Sequence, residues 1–359
     1  LIFINTIQKP FSYTVPLNRF PQQKKVYDLT GKLEKTIAEI PLNEVMPKGF
    51  MAVRKGRRNL NWRSDEPATL FFVEALDGGN PENKADYRDA VYTWKAPFDT
   101  EPTLLTKSKL RFSHIVWGDA STAVMQSEWY DTRQQLTVLF DPSKPGQEQK
   151  TIDDRNFQDV YSDPGDFETR KNEYGKYVLT IDKNRIFLIG QGFTPKGQFP
   201  FIDELQLSTL KKKRLYESAY TDKMEEIFDI LDVKKGEVLI RLQSKNEYPN
   251  YYIRNIIKRV APLQLTHFAN PFESIKDVYK ELIKYKRNDG VELSGTLYLP
   301  SGYDRNSKKE KLPLLIWAYP AEYKDKNSAG QSTSNPNEFT FPYYGSFVYW
   351  VTRGYAVLD

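Results

Sequence analysis

The stretch LNWRSDEPATLFFVEALDGG, Leu60 to Gly79, carries a pattern that returns as IVWGDASTAVMQSEWYDTR, Ile115 to Arg133. Both copies run tryptophan, a short acidic turn, alanine, an apolar strand and then glutamate. Trp62 precedes Glu74 by 12 residues, Trp117 precedes Glu128 by 11, and the two tryptophans are 55 apart. A further strand signal follows each copy, RDAVYTWKAP and QLTVLFDPS, with turn residues between. Units of about 45 to 60 residues holding about four strands each are the signature of propeller blades. One such sheet cannot cover its own apolar faces, so blades are expected in series.

Outward from this pair the repetition weakens. YGKYVLTIDKNRIFLIGQG and FIDELQLSTLKKKRLYES fill residues 174 to 218, and GEVLIRLQSKNEYPNYYIRNIIKRVAPLQLTHFANP fills 236 to 271. The count comes to about four full blades plus a fragment at residues 1 to 50. The pattern changes after Pro271. VYKELIKYKRNDGVELSGTLYLP reads as a hairpin turning at Asn288-Asp289-Gly290. SGYDRNSKKEK is a polar loop, and LPLLIWAY is a continuous apolar run expected to be a strand buried on both faces. FPYYGSFVYWVTRG is expected to hold a short helix ending at Gly354, and YAVLD to open another buried strand. Hairpin, buried strand, loop, helix, buried strand is how an α/β-hydrolase sheet begins.

Composition agrees with a large, strand-rich chain. The 359 residues include 23 Tyr, 21 Phe, 22 Pro and 19 Gly, which suits many short strands joined by turns. The 52 basic residues face 47 acidic ones, a mixed surface and not a nucleic-acid footprint. The densest basic run, Lys211 to Arg214, reads as a solvated hairpin tip. Cysteine is absent, which excludes disulfides and thiolate metal sites. No apolar run approaches the roughly 18 residues of a membrane span. The opening LIFINTIQKPFSY lacks the layout of a secretory signal and reads as the middle of a strand, so the chain is expected to continue at both ends.

No catalytic constellation is complete. GQSTS, Gly330 to Ser334, approaches the G-x-S-x-G nucleophile elbow, but that elbow needs a buried strand before it and a helix after. Both flanks here read as loop, so Ser332 is not expected to be a nucleophile. The two histidines, His114 and His267, both precede the first hydrolase strand, against the hydrolase order of Ser, acid, His. They read as polar residues at strand edges or a blade junction. No H-E-x-x-H, EF-hand loop or Gly-rich phosphate loop occurs, so no metal and no cofactor is expected.

Several stretches, in order, carry a resemblance: FSYTVPLNRFP, VRKGRRNLNWRSDEPATL, VEALDGG, SEWYDTR, QDVYSDPG, GFTPKGQFPFID, KYKRNDGVELSGTLYLPSGYD, YPAEYKDKNSAGQ and NPNEF. Together they resemble the glutamyl endopeptidase family, the chloroplast-type glutamyl peptidases and their bacterial relatives, a branch of the prolyl oligopeptidase superfamily. The resemblance covers essentially the whole chain. It implies a mainly β architecture: a β-propeller over residues 1–271, incomplete at its N-terminus, followed at 272–359 by the first strands of an α/β-hydrolase domain. It implies serine peptidase chemistry with cleavage after glutamate, peptide substrates, and a propeller that gates their access. It further implies that the triad serine, aspartate and histidine lie beyond Asp359 and that this chain alone is inactive.

One functional residue is implied by position. In this superfamily the loop after the third hydrolase strand carries a tyrosine that helps bind the oxyanion, and Tyr319 in WAYPAEY stands at that place. The competing reading is a core tyrosine at a strand end. Acidic specificity calls for a cationic partner, preferably a guanidinium, and Arg54, Arg58 and Arg133 are the leading candidates. Two other readings stay open: a non-catalytic propeller that binds a peptide or protein, and a dipeptidyl or acylaminoacyl peptidase.

Overall fold

The computed structural model describes residues 1–258, 260–306 and 311–359. The chain is mainly β. Its first sheet has three strands, Ile2–Ile7, Gln22–Tyr27 and Leu33–Ile40. Four four-stranded sheets follow, each a simple antiparallel meander in chain order. The first runs Arg58–Trp62, Thr69–Ala75, Asp89–Lys95, Thr103–Ser108. The second runs Arg111–Asp119, Thr122–Trp129, Gln134–Phe140, Lys150–Asn156. The third runs Asp166–Phe167, Arg185–Gly190, Phe201–Gln206, Lys212–Glu217, and the fourth Met224–Asp232, Glu237–Gln243, Asn250–Asn255, Leu263–Gln264. The two copies of the tryptophan repeat form the opening strand pairs of the first and second meanders, as their spacing indicates.

Two compact units emerge, Leu1–Asn156 with Thr169–Leu179, and Phe157–Glu168 with Thr180–Asp359. In the first unit, Thr69–Ala75 is buried along its first five positions because the period-2 alternation of a strand serves two cores at once. Phe71 and Val73 point to one side and pack with Trp117, Met125 and Val138 of the next meander. Leu70 and Phe72 point to the other and pack with Val26, Ile37, Trp94 and Phe98. Phe72 is 1% exposed, and full burial of such a side chain stabilises by about 1.5–3 kcal/mol. The second unit repeats the device on a smaller scale, with Ile202 against Ile227, Val238 and Ile240.

The weak unit read at 174–218 is one meander, as counted. Its opening strand, Asp166–Phe167, lies outside that range and is too short to show periodicity. Small hairpins at Thr169–Lys171/Tyr177–Leu179 and Phe193–Thr194/Gly197–Gln198 interrupt the rest. The basic run 211–214 is exposed but lies past the hairpin tip, with Lys212–Arg214 opening the strand Lys212–Glu217, and Arg214 folds back onto Asp203 and the Phe201 ring.

The last sheet pairs Tyr279–Lys286 with Glu292–Leu299 around the 288–290 turn, where Gly290 takes φ 86. Ala356–Leu358 joins Glu292–Leu299 antiparallel and Leu314–Ile316 in parallel. The helix expected before Gly354 is a 3-10 helix, Phe347–Arg353, opened by the Ser346 side chain and closed by Gly354 at φ 85. Ala356–Leu358 is buried as expected, with Val357 fully enclosed by Tyr298, Val348 and Val351. Leu314–Ile316 departs from expectation. It is the outermost strand, with Leu314 54% and Ile316 64% exposed, because it has a partner on one side only. The polar loop expected at 301–311 lies partly outside the described residues, which omit 307–310. No helix among the described residues is long and apolar enough to cross a membrane.

Candidate functional site

The three arginines singled out in the sequence sit in three different settings. Arg58 is 8% exposed and pairs with Asp89, which is fully buried. The same carboxylate accepts from Arg111 Nη1 at 2.9 Å and from the Phe112 backbone N–H at 2.6 Å. Arg111 also reaches Asp77 at 2.6 Å, and Arg88 joins Asp77 at 3.2 Å while lying over the Trp129 ring. This is a closed charge network tying the first meander to the second. Arg133 is fully buried at a left-handed position, φ 57, with its guanidinium 3.7 Å from the Tyr130 ring centre and donating to the Tyr130 carbonyl. Arg54 is half-buried and donates to the carbonyls of Lys55 and Arg57. Burial, then the neighbouring Arg58 charge, lowers its pKa, and burial with the Arg54 charge does the same to Lys24. Lys24, Arg54 and Arg58 thus form a cationic spot, and no carboxylate among the described residues pairs with Arg54.

Tyr319 follows Leu314–Ile316 at the carboxyl edge of the parallel strand pair. The Trp317 N–H still bonds to the Leu358 carbonyl at 2.8 Å, after which the chain leaves the sheet. Tyr319 is 88% exposed, so it is not a packed core residue, and its hydroxyl makes no hydrogen bond among the described residues. Residues 316–327 are exposed throughout.

This loop is held from outside. The Gln158 side chain donates to the Glu322 carbonyl at 2.5 Å and accepts from the Lys324 N–H at 3.1 Å. In return, Gln331 Oε1 accepts from the N–H groups of Val160 at 2.8 Å and Tyr161 at 3.3 Å, while its Nε2 donates to Asp159 at 2.6 Å. The Ser332 N–H donates to the Tyr161 hydroxyl at 3.0 Å. Burial works against ionisation of Asp159, but hydrogen bonds from Gln331, Ser162 and Tyr161 outweigh it and hold the carboxyl below its ordinary range. Beside this contact opens a cleft of about 650 Å³ lined by Tyr161, Lys284, Tyr285, Lys326, Gln331 and Ser332, with a mouth of mixed polar character.

Sequence reasoning missed this paired-glutamine contact. QDVYSDPG and YPAEYKDKNSAGQ were legible as motifs, but nothing local indicates that residues more than 160 apart meet. For Ser332, the flank read as loop contains a single helical turn, Lys326–Ala329, capped by Asp325. No strand precedes it, so the elbow geometry is missing. His114 and His267 are both exposed, the first on the strand Arg111–Asp119 and the second between elements.

No protein-family model matches the chain. A rice protein (Oryza sativa subsp. japonica) named "Probable glutamyl endopeptidase, chloroplastic" is 37% identical over 373 residues, covering 100% of this chain and 40% of that protein. An Arabidopsis thaliana protein of the same name is 35% identical over 374 residues, covering 100% and 39%. Among solved structures, the Pyrococcus horikoshii acylaminoacyl peptidase matches with a TM-score of 0.50 at 14% identity, over 99% of this chain and 48% of that one, a likeness of fold alone. The chain spans about two fifths of the length of the curated relatives it matches. Over its full length the chain is therefore similar to proteins named as glutamyl endopeptidases.

Proposed function

We propose that the protein carrying this chain is a serine-type endopeptidase of the prolyl oligopeptidase superfamily that cleaves after glutamate. The observation that carries this reading is the match to curated glutamyl endopeptidases along 100% of the chain. In this reading residues 1–271 are the propeller domain that governs substrate access, and 272–359 open the hydrolase domain. Tyr319 donates its hydroxyl to the oxyanion. Its exposure beyond the carboxyl edge of a parallel strand pair suits that role, since ligands of open α/β sheets gather there. None of residues 1–359 is assigned to the triad.

Of the three arginines, Arg54 is the one we assign to the glutamate side chain. Arg58 and Arg133 have their guanidinium groups committed inside the fold. Arg54 sits in a cationic spot with only carbonyl partners, and a carboxylate there would gain charge-assisted hydrogen bonds. The test is hydrolysis by the whole protein of peptides that differ only in the residue before the cleaved bond. Preference for Glu over Gln is expected. Binding without turnover would favour a non-catalytic peptide binder, and release of N-terminal dipeptides or acylated residues would favour an exopeptidase.

A further inference from the structure

We infer that Gln331 and Gln158 are positioning residues that hold the Tyr319 loop ready for the chemical step. The inference rests on the oxyanion reading of Tyr319. From Trp317 to Asp325 the chain has no regular secondary structure and its side chains are exposed, so packing, beyond the Trp317 ring stacked on Phe347, does not fix it. Two attachments do. One is the bond from the Trp317 N–H to the sheet. The other is the reciprocal contact in which a glutamine from each loop reads the main chain of the other. Gln158 binds the carbonyl of residue 322 and the N–H of residue 324, only three and five residues past Tyr319. Gln331 binds two N–H groups and the Asp159 carboxylate, 12 residues past Tyr319. A primary amide supplies one acceptor and two donors, and here each uses both kinds.

The physical need is plain. An oxyanion donor works only if it is already aimed where charge develops, and displacement by about 1 Å costs on the order of 100-fold in rate. A free loop would have to be ordered at each turnover, at about 1–2 kcal/mol per residue fixed. The contact supplies that order before substrate arrives. Gln158 belongs to the propeller part and Tyr319 to the hydrolase part of the proposed division, and both loops lie within one compact unit.

The experiment uses the whole protein and three variants: Gln331→Ala, Gln158→Ala and Tyr319→Phe, with the two doubles Gln331→Ala/Tyr319→Phe and Gln158→Ala/Tyr319→Phe. Each glutamine variant should lower kcat about 10-fold on a substrate whose chemical step is slow, with KM within about twofold. In the Tyr319→Phe background the same substitution should cost little more, because the hydroxyl it positions is gone. Additive losses would mean a general structural role and overturn the inference. A fall in Tyr319→Phe with none in either glutamine variant would overturn it while leaving the oxyanion reading intact. If Tyr319→Phe itself is silent, the oxyanion reading fails and this inference fails with it. A second measurement needs no activity. Amide exchange at 317–325 should quicken about tenfold in Gln158→Ala, and unchanged exchange would overturn the inference whatever the kinetics.

Discussion

The charge network around Asp89 and the loop around Tyr319 treat polar groups in opposite ways. At Asp89 everything is enclosed: the carboxylate is inaccessible, and Arg58, Arg111 and the Phe112 N–H surround it. At Tyr319 the side chain stands in solvent while the main chain on either side of it is tied down. Buried, ion-paired groups hold sheets together and lie out of a ligand's reach, even where one, such as Arg58 Nε, lacks a hydrogen-bond partner. An unsatisfied group on a fixed backbone costs the fold nothing and remains available. The VRKGRRNLNWR segment shows how far sequence alone confuses the two, since Arg54 and Arg58 look alike there and are placed differently.

The largest effect is expected from breaking the enclosed region. Asp89→Ala leaves Arg58 as an uncompensated buried cation and Arg111 with Asp77 as its one carboxylate, and should lower unfolding stability by about 3–5 kcal/mol, read from urea denaturation. A loss under about 1 kcal/mol would show that the network is dispensable. Next comes the open region. Tyr319→Phe in the whole protein should reduce kcat by roughly 10- to 1,000-fold with little change in thermal stability. An equal drop in melting temperature and activity would move Tyr319 to the structural side of the comparison. Third, Arg54→Met should cut the kcat/KM ratio of Glu over Gln substrates by about 10- to 100-fold, as expected for losing a charge-assisted hydrogen bond of about 1.5–3 kcal/mol. Unchanged selectivity would put Arg54 with Arg58 as a fold-holding residue.

The smallest effect concerns a group that belongs to neither class. Glu168 is 7% exposed, and burial, helped by hydrogen bonding with Asp229 and by its charge, pushes its pKa up from 4.5 to about 8. The folded protein therefore holds a proton that the unfolded chain releases between those values. The resulting stability is complete below pH 4.5 and is lost as pH rises through about 8. Glu168→Gln keeps an acceptor for the Ile230 N–H and donates permanently toward Asp229. Because Asp229 is exposed, we expect a gain of about 1 kcal/mol, or roughly 1–2 °C in Tm, at pH 9 relative to pH 5. Parallel pH profiles for the two proteins would contradict the shared proton.

The meanders were legible because their information is local. Trp62 and Trp117 mark corresponding strands, and the unbroken apolar run in TLFFVEA marks a strand that the fold then buries on both faces. Leu314–Ile316 was legible as a strand but not as an edge strand, because burial depends on neighbours that the apolar run itself does not specify. Of the proposed site, Tyr319 and Arg54 were legible as candidates. The glutamine contact beside Tyr319 joins residues more than 160 positions apart, and a lone glutamine carries no periodic or turn signal that would reveal it. The Asp77–Arg111 and Asp89–Arg58 pairs are hidden for the same reason, charges that look solvated until two sheets close over them.

The reciprocal glutamine contact also has an evolutionary consequence. Gln158 and Gln331 grip main-chain groups, so the side chains at 160, 322 and 324 are not part of the grip. The contact itself therefore constrains the backbone at those positions, with one prohibition: proline at 160, 161 or 324 would delete an N–H that it uses. The two glutamines are constrained in their side chains, since Asn is too short and Glu at 331 would set two carboxylates face to face at Asp159. Variation among relatives should therefore be wide at 324 and narrow at 158 and 331, and narrower at the two glutamines than at other half-buried polar positions.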